Sequence, residues 1–321
     1  MSGAVPDRRG LLAAALLLAA AIVLPWVLQA LGMDYYLSLA SRVLVYAVAA
    51  SSLNLVLGYG GMVSFGHAAF VGLGAYVTGI MISEGVAAAG WHLLATVAVC
   101  MLAALVIGAI SLRTRGVYFI MITLAFAQML FYLSNSIKAY GGDEGLNIRT
   151  RSQIGIEGFA LDLKNNLVFY YVALAVLAAL LLALARFVPS RFGRAVQALR
   201  DDDVRAEALG FPTYRYKLIV FVVAGALGGV AGALYVNLTG YVSPNLLHWT
   251  QSGTLMVMVI LGGVASLWGG LAGAAALLLL QEVLSAYTEH WEFWTGWVLL
   301  AVVLFARRGL AGLFARRGHK P

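Results

Sequence analysis

The sequence contains few of the residues on which soluble enzymes depend. Asp, Glu, Lys and Arg make up 11% of its 321 residues, compared with roughly 25% in an average soluble domain. Cys100 is the only cysteine, so no disulfide can form within the chain, and a metal site would need other ligands. The sequence also has no HExxH motif and no Asp/Glu/His cluster, which argues against an intramembrane protease or metalloenzyme.

A nucleotide-binding loop is also missing. The phosphate-cradling pattern GxxxxGK[ST] needs a lysine directly after a glycine. The lysines of this chain follow Ile137, Leu163, Tyr216 and His319 instead. We therefore expect no cofactor in this chain, and any ATP and Mg²⁺ that drive its function must be bound by partner subunits.

Apolar residues dominate what is present. Residues of the types AVILMFWYC account for 62% of the chain, and the mean hydropathy is +0.90. At about 20 residues per spanning helix, this predicts an all-α membrane protein with a single transmembrane domain over residues 1–321. The ten predicted helical segments are 11–32, 37–57, 62–83, 92–112, 117–136, 167–187, 217–238, 252–268, 270–287 and 293–306.

The basic residues predict the orientation of these segments. If the N-terminus is inside, 16 of the 21 Lys and Arg residues fall on the inner side, and 9 of the 14 acids fall outside. The positive-inside rule then places both termini in the cytoplasm, with 138–166 as an outer loop and 188–216 as an inner loop. The net charge of +7 is thereby assigned to cytoplasmic loops and not to nucleic-acid binding. A secretory signal cleaved after Ala21 is an alternative for the N-terminal segment.

Charged side chains are nearly absent from the predicted membrane interior. Arg42 and Glu282 lie near segment ends, from which their charges can reach the interface. His67 is the only ionisable residue well inside a segment. The predicted membrane interior therefore offers few ionisable groups that could couple transport to protons or sodium ions.

Two glycine-dense interruptions share the pattern Gly-Gly-x-x-Ser, at 60–65 and 262–267, which indicates two related halves of the chain. Such clusters predict broken or re-entrant helices whose backbone lines a solute path. Close helix packing is the alternative, and we favour it for the pairs Gly225/Gly229, Gly228/Gly232 and Gly269/Gly273. Polar residues can likewise join helices, and His67 can be a purely structural histidine. The candidates for the transport path are Asn54, Gly60, Gly61, Ser64, His67, Gln128, Gly262, Gly263 and Ser266.

The inner loop 188–216 is predicted to form one or two short amphipathic helices. Ser190 can cap the first helix, the acidic run 201–203 favours a helix N-terminus, and Gly210 ends the second. We also expect an ion pair between Asp201 and Arg205. Such a segment can dock into a cytoplasmic partner or rest on anionic lipid. The outer loop can likewise receive a soluble partner or form an ordered lid.

Several segments, in order along residues 40–313, resemble LivM-type permeases, the inner-membrane subunits of branched-chain amino-acid ABC importers. The segments are Ser52-Leu-Asn-Leu-Val-Leu-Gly-Tyr-Gly-Gly-Met-Val-Ser-Phe-Gly-His67 with its continuation to Tyr76, Arg115-Gly-Val-Tyr-Phe-Ile-Met-Ile-Thr-Leu-Ala-Phe-Ala-Gln128, Gly141-Gly-Asp-Glu-Gly-Leu146, Phe192-Gly-Arg-Ala-Val-Gln-Ala-Leu-Arg200, Ala206-Glu-Ala-Leu-Gly210, Ser243-Pro-Asn245, Leu261-Gly-Gly-Val-Ala-Ser-Leu-Trp-Gly269 and Phe305-Ala-Arg-Arg-Gly-Leu310.

The resemblance implies a bacterial inner-membrane permease, without enzymatic activity of its own, that imports branched-chain or related amino acids. Its implied partners are a second, LivH-like permease, two cytoplasmic ATPases and a periplasmic solute-binding protein. The implied contacts with the ATPases involve Arg194, Arg200, Asp201, Asp202, Arg205, Glu207, Ala208 and Gly210. Relatives that carry urea or short amides, a self-sufficient small-solute channel and a structural membrane anchor are alternative interpretations.

Overall fold

The chain forms a bundle of helices, as the apolar segments predict. The structure is a computed structural model that describes residues 8–86, 88–148, 150–154, 161–162, 165–305 and 309–310. The helices are α1 (Arg8–Ala30), α2 (Asp34–Asn54), α3 (His67–Ser83), α4 (Ala89–Ser111), α5 (Val117–Ser136), α6 (Asn166–Phe187), α7 (Arg191–Asp201), α8 (Asp203–Ala208), α9 (Thr213–Thr239), α10 (Trp249–Gly262), α11 (Gly269–Tyr287) and α12 (Trp291–Phe305).

Short 3₁₀ turns lie at Lys138–Tyr140, Gly142–Glu144 and Pro244–Leu247. The described residues also include four two-residue strands. They are β1 (Leu146–Asn147), β2 (Gln153–Ile154), β3 (Leu161–Asp162) and β4 (Tyr241–Val242). β1 pairs antiparallel with β4, and β2 pairs antiparallel with β3. An all-α fold is therefore confirmed for the membrane segments, with small strand pairs at one end of the bundle.

Within the described part of the chain, six helices are long and apolar enough to cross a membrane. They are α2 with its continuation to Tyr59, α4, α5, α6, α9 and α11. Three apolar helical segments are shorter: residues 19–30 of α1, α3 and α10. The protein is thus a multi-pass membrane protein, and the full set of ten spans stays a prediction.

Two helices are shorter than their apolar segments predict. The segment 62–83 becomes helical only at His67, and the segment 252–268 stops being helical after Gly262. Gly61 has φ +67° and Gly263 has φ +116°, values that are incompatible with a right-handed helix and that suit glycine. Both breaks therefore fall inside the glycine-dense interruptions.

Small residues bring the helices of the core close together. A Cβ on Gly232 of α9 would overlap the backbone carbonyl of Val71 in α3, and one on Gly273 of α11 would overlap that of Met258 in α10. Two further glycines of α9 face α4. A Cβ on Gly225 would lie 2.6 Å from the Ala104 side chain, and a Cβ on Gly229 would lie 2.5 Å from the Cys100 side chain. The packing role predicted for these glycines is confirmed.

The contacts distinguish two ends of the bundle. At the strand end, β1 pairs with β4, and the Ser152 amide donates to the Asn237 side chain of α9. At the opposite end, which we call the docking end, α7 and α8 lie beside the start of α9, where the Tyr214 hydroxyl donates to the Ala109 carbonyl of α4. The predicted cytoplasmic termini, residues 1–7 and 311–321, lie outside the described residues.

Candidate functional site

The loop at the docking end contains two short helices, each with the ends that its sequence predicts. The Ser190 hydroxyl accepts from the Gly193 amide at 3.0 Å and caps α7. The Asp202 carboxylate accepts from the Arg205 amide at 3.0 Å and caps α8. Gly210 follows α8 with φ +84°, the left-handed conformation that commonly ends helices. The loop is therefore an ordered helical element.

The predicted ion pair between Asp201 and Arg205 is wrong. Arg205 pairs with Asp202 at 3.5 Å, and Asp201 pairs with its neighbour Arg200 at 3.1 Å. The reason is that Asp202 is extended, with φ −157° and ψ 101°, and separates α7 from α8. Residues 201 and 205 therefore do not share a helix, and the i,i+4 spacing does not apply.

Ion pairs attach α8 to Lys217 of α9 and to Arg115, which lies just before α5. The Lys217 ammonium of α9 lies 2.5 Å from the Asp203 carboxylate, and both side chains are about one-fifth exposed. The Arg115 guanidinium, two residues before α5 begins, lies 3.3 Å from the Glu207 carboxylate and 4.0 Å from the Asp203 carboxylate. Sequence reasoning missed the roles of Asp203, Lys217 and Arg115, because periodicity within the loop says nothing about partners from other helices.

The outward side of this loop combines charge with exposed apolar side chains. Val204 is 69% exposed and Leu209 is 72% exposed, whereas Ala206 is buried against the bundle. Arg194 and Ala208 are also exposed. We call the exposed side of α7 and α8 the docking face. On this face Val204 projects from α8 and Leu209 directly follows its last residue, so two apolar side chains lie exposed among charged ones.

The first glycine-rich interruption lies directly behind α7. Helix α2 ends in a π-helical turn, Leu55–Tyr59, a feature often found at functional sites. The Arg200 Nη1 donates to the Gly58 carbonyl at 2.8 Å. A Cβ on Gly61 would lie 2.5 Å from Arg200 Cγ. The interruption and the docking helix are thus in direct contact.

A cavity of about 440 Å³ opens between this interruption and the docking loop. Gly60 and Gly61 line one side of it. Its other lining residues include apolar ones, such as Phe119 and Leu199, and six charged ones: Arg113, Arg115, Arg200, Lys217, Asp203 and Glu207. This mixed charge differs from the groove of about 780 Å³ between α4 and α5, whose lining is almost entirely apolar.

The second interruption is held by Asn54, from the last turn of α2. The Asn54 Nδ2 donates to the Ser266 carbonyl at 2.8 Å, and the Ala265 amide donates to the Asn54 Oδ1 at 3.0 Å. A Cβ on Gly262 would overlap the Gly269 carbonyl. Of the predicted path residues, Asn54 and Ser266 therefore meet where the two interruptions touch. Gly262 and Gly263 pack against Gly269 within the second interruption.

The remaining path candidates lie elsewhere in the bundle. The His67 Nε2 is 2.8 Å from the Ser52 hydroxyl, and His67 is completely buried at the start of α3. Ser64 is buried and accepts from the Gly66 amide at 3.2 Å. The Gln128 Oε1 in α5 is buried without a hydrogen-bond partner among the described residues. These three residues do not line the 440 Å³ cavity.

The sequence of this chain matches the model of one protein family over residues 35–307: the permease component of branched-chain amino acid transport systems. This match covers well over half of the chain. The chain belongs to this permease family. The resemblance to LivM-type permeases seen in the sequence segments is thereby confirmed.

Curated relatives agree with the family match. The chain is 27% identical to the high-affinity branched-chain amino acid transport system permease protein LivM of Escherichia coli K12, over 85% of this chain and 69% of the relative. It is 25% identical to the corresponding permease protein LivH, over 83% of this chain and 91% of the relative. A probable LivM of Methanocaldococcus jannaschii is 23% identical, over 81% and 87% respectively. These relatives are permease proteins of transport systems.

Proposed function

We propose that this permease is a subunit of an ABC importer that moves branched-chain or related amino acids into the cytoplasm, driven by ATP hydrolysis in partner subunits. The observation that carries the proposal is an ordered, partly apolar docking face in a chain that belongs to the permease family. Since the sequence contains no phosphate-binding loop, the ATP must be bound by another polypeptide.

The proposed orientation puts the docking end in the cytoplasm of a bacterial cell, with the protein in the inner membrane. The excess of Lys and Arg in the loops at this end supports the assignment. The strand end, with the ordered part of the outer loop, then faces the periplasm and the solute-binding protein.

Two cytoplasmic ATPases and a second permease complete the proposed complex. The similarity of this chain to both LivM and LivH relatives supports a partner of the same family. On the docking face, Arg194, Ala208 and the apolar Val204 and Leu209 are free to contact an ATPase. Arg200, Asp202 and Glu207 contribute mainly to the internal order of the loop.

We further propose alternating access as the transport mechanism. ATP-driven movement of the ATPases would displace the docking loop and rock the helices that carry the two interruptions. Gly60 and Gly61, which line the cavity behind the docking loop, support a path near the first interruption.

A pull-down from native membranes in mild detergent tests the complex. The tagged chain is expected to bring down two ATPase subunits and a second permease. A Val204→Asp, Leu209→Asp double variant places charge on the docking face and should lose the ATPases while keeping the permease. Tyr287→Asp, at a side chain that is 86% exposed at the end of α11, is the matched control and should keep both.

Two other outcomes would contradict the proposal. Recovery of the chain alone, with solute flux that needs no ATP, would indicate a self-sufficient channel. Retention of the ATPases by the double variant would contradict the assignment of the docking face.

A further inference from the structure

A continuous chain of direct contacts runs from the docking helix α7 through the first interruption to the second. Its first link is Arg200, in the last turn of α7, which donates to the Gly58 carbonyl at 2.8 Å. Its second link is Asn54, one turn before Gly58, which binds both Ala265 and Ser266. No other hydrogen bond between side chains or backbone of the described residues connects α7 to either interruption.

The Arg200 link resists movement in both directions. The stem of Arg200 occupies the space that a side chain at residue 61 would fill, with the added Cβ 2.5 Å from Arg200 Cγ. Because close-packed groups transmit displacement, α7 cannot move toward the interruption without pushing it. The charge-assisted hydrogen bond to the Gly58 carbonyl resists separation of the same two elements.

The Asn54 link uses both ends of its side-chain amide. Its Nδ2 donates to Ser266 while its Oδ1 accepts from Ala265, so it binds the backbone as another peptide group would. Gly58 lies against the same site, since a Cβ there would be 2.6 Å from the Ala265 nitrogen. Movement at residue 58 therefore reaches the second interruption directly.

The backbone of both interruptions on this path is unusual. The first interruption begins with a π-helical turn, Leu55–Tyr59, which often marks a functional site. Ala265 in the second interruption has φ +59°, a conformation that costs energy for a residue with a Cβ and that the surrounding structure must hold in place. The Asn54 hydrogen bond to its amide supplies such support.

We infer that Arg200 and Asn54 are positioning residues that join the docking helix to both glycine-rich interruptions, so that displacement of α7 moves the two interruptions together. This inference rests on the proposed function for its role in transport, although the mechanical link itself does not. It assigns Asn54 to transmission within the protein and not to contact with solute.

The first test compares ATP hydrolysis with leucine uptake for the purified complex in proteoliposomes. Arg200→Met keeps the apolar stem and removes the hydrogen bond, and it should raise the ATP consumed per leucine by at least about fivefold. Arg200→Lys retains a donor and should restore most of the coupling. Asn54→Leu should uncouple in the same sense as Arg200→Met. Arg186→Met, at an exposed residue in the last turn of α6 and outside the docking face, is the control and should leave the ratio unchanged.

A purely structural role predicts a different result. Hydrolysis and uptake would then fall by the same factor, leaving their ratio unchanged, and the inference would be overturned. An Arg200→Met complex that is indistinguishable from the unsubstituted one would also overturn it.

A second test does not depend on transport. The native Cys100 is completely buried, so a Ser266→Cys substitution introduces one reactive thiol at the second interruption. Adding Arg200→Met should increase the rate at which a maleimide labels that thiol, whereas adding Arg186→Met should not. If the wild-type complex lacks ATP-driven uptake but the labelling responds in this way, the proposed function is wrong and the link is supported. An unchanged labelling rate contradicts the link whatever the transport result.

Discussion

The two glycine-rich interruptions share a sequence pattern but have different surroundings. In the first, the missing side chain of Gly61 makes room for Arg200, which comes from another helix and has a flexible stem. In the second, the missing side chain of Gly262 makes room for the rigid backbone carbonyl of Gly269. The second glycine of the first pattern thus faces a side chain that can adjust, whereas the first glycine of the second pattern faces fixed backbone.

The largest effect is expected at the second interruption. Gly262→Val would force a Cβ into the Gly269 carbonyl, and overpacking against backbone should cost more than about 2 kcal/mol of stability. We expect little folded protein in the membrane, measured by fluorescence-detected size-exclusion chromatography. Gly253→Ala, on the same helix with no atom closer than 3.9 Å to its added Cβ, is the control. Normal yield of the Gly262→Val variant would show that the packing can relax.

A smaller effect on folding and a large one on transport are expected at the first interruption. Gly61→Ala adds a Cβ at φ +67° and against Arg200, whose side chain can shift. The protein should assemble but lose most of its uptake. Gly85→Ala carries a similar backbone penalty at φ +84°, with no neighbour within 4 Å. If both variants lose uptake equally, backbone strain and not the Arg200 contact is responsible.

The partly buried ion pair of Lys217 and Asp203, behind the docking loop, should affect stability more modestly. Lys217→Met leaves the Asp203 carboxylate without its nearest partner and should lower the free energy of unfolding by about 1–3 kcal/mol. Thermal unfolding in detergent measures this change. Arg215→Met, at an exposed neighbour, should change little. Equal melting temperatures for the two variants would mean that α8 does not depend on this pair.

The smallest effect is expected for the exposed pair of Arg115 and Glu207. Their side chains are 63% and 60% exposed, and exposed ion pairs contribute about 0.2–1 kcal/mol. A double-mutant cycle with Arg115→Ala and Glu207→Ala should give a coupling energy in this range that decreases with added salt. A coupling energy that does not change with salt would contradict an exposed electrostatic contact.

Much of the local structure was predictable from the sequence. The apolar segments, the cap at Ser190, the helix end at Gly210 and the breaks at the glycine clusters all follow from residues close together in the chain. Such features are determined locally, by hydrogen bonds and backbone conformations within a few residues.

The contacts that organise the candidate site were not predictable in the same way. Arg200 and Gly58 are 142 residues apart, and Asn54 and Ala265 are 211 residues apart. Only the folded bundle brings them together. The pairing of Asp201 with Arg205 was wrong for a related reason, since it assumed one continuous helix where Asp202 is extended.

Uptake of leucine by proteoliposomes tests the central claim most directly. The complex containing this chain and its ATPases is reconstituted with the docking end facing the inside of the vesicle. ATP is enclosed inside, and the solute-binding protein and leucine are added outside. The account predicts leucine accumulation that requires ATP hydrolysis and is lost when this chain is omitted. Equal leucine flux with and without ATP, or flux through this chain alone, would contradict it.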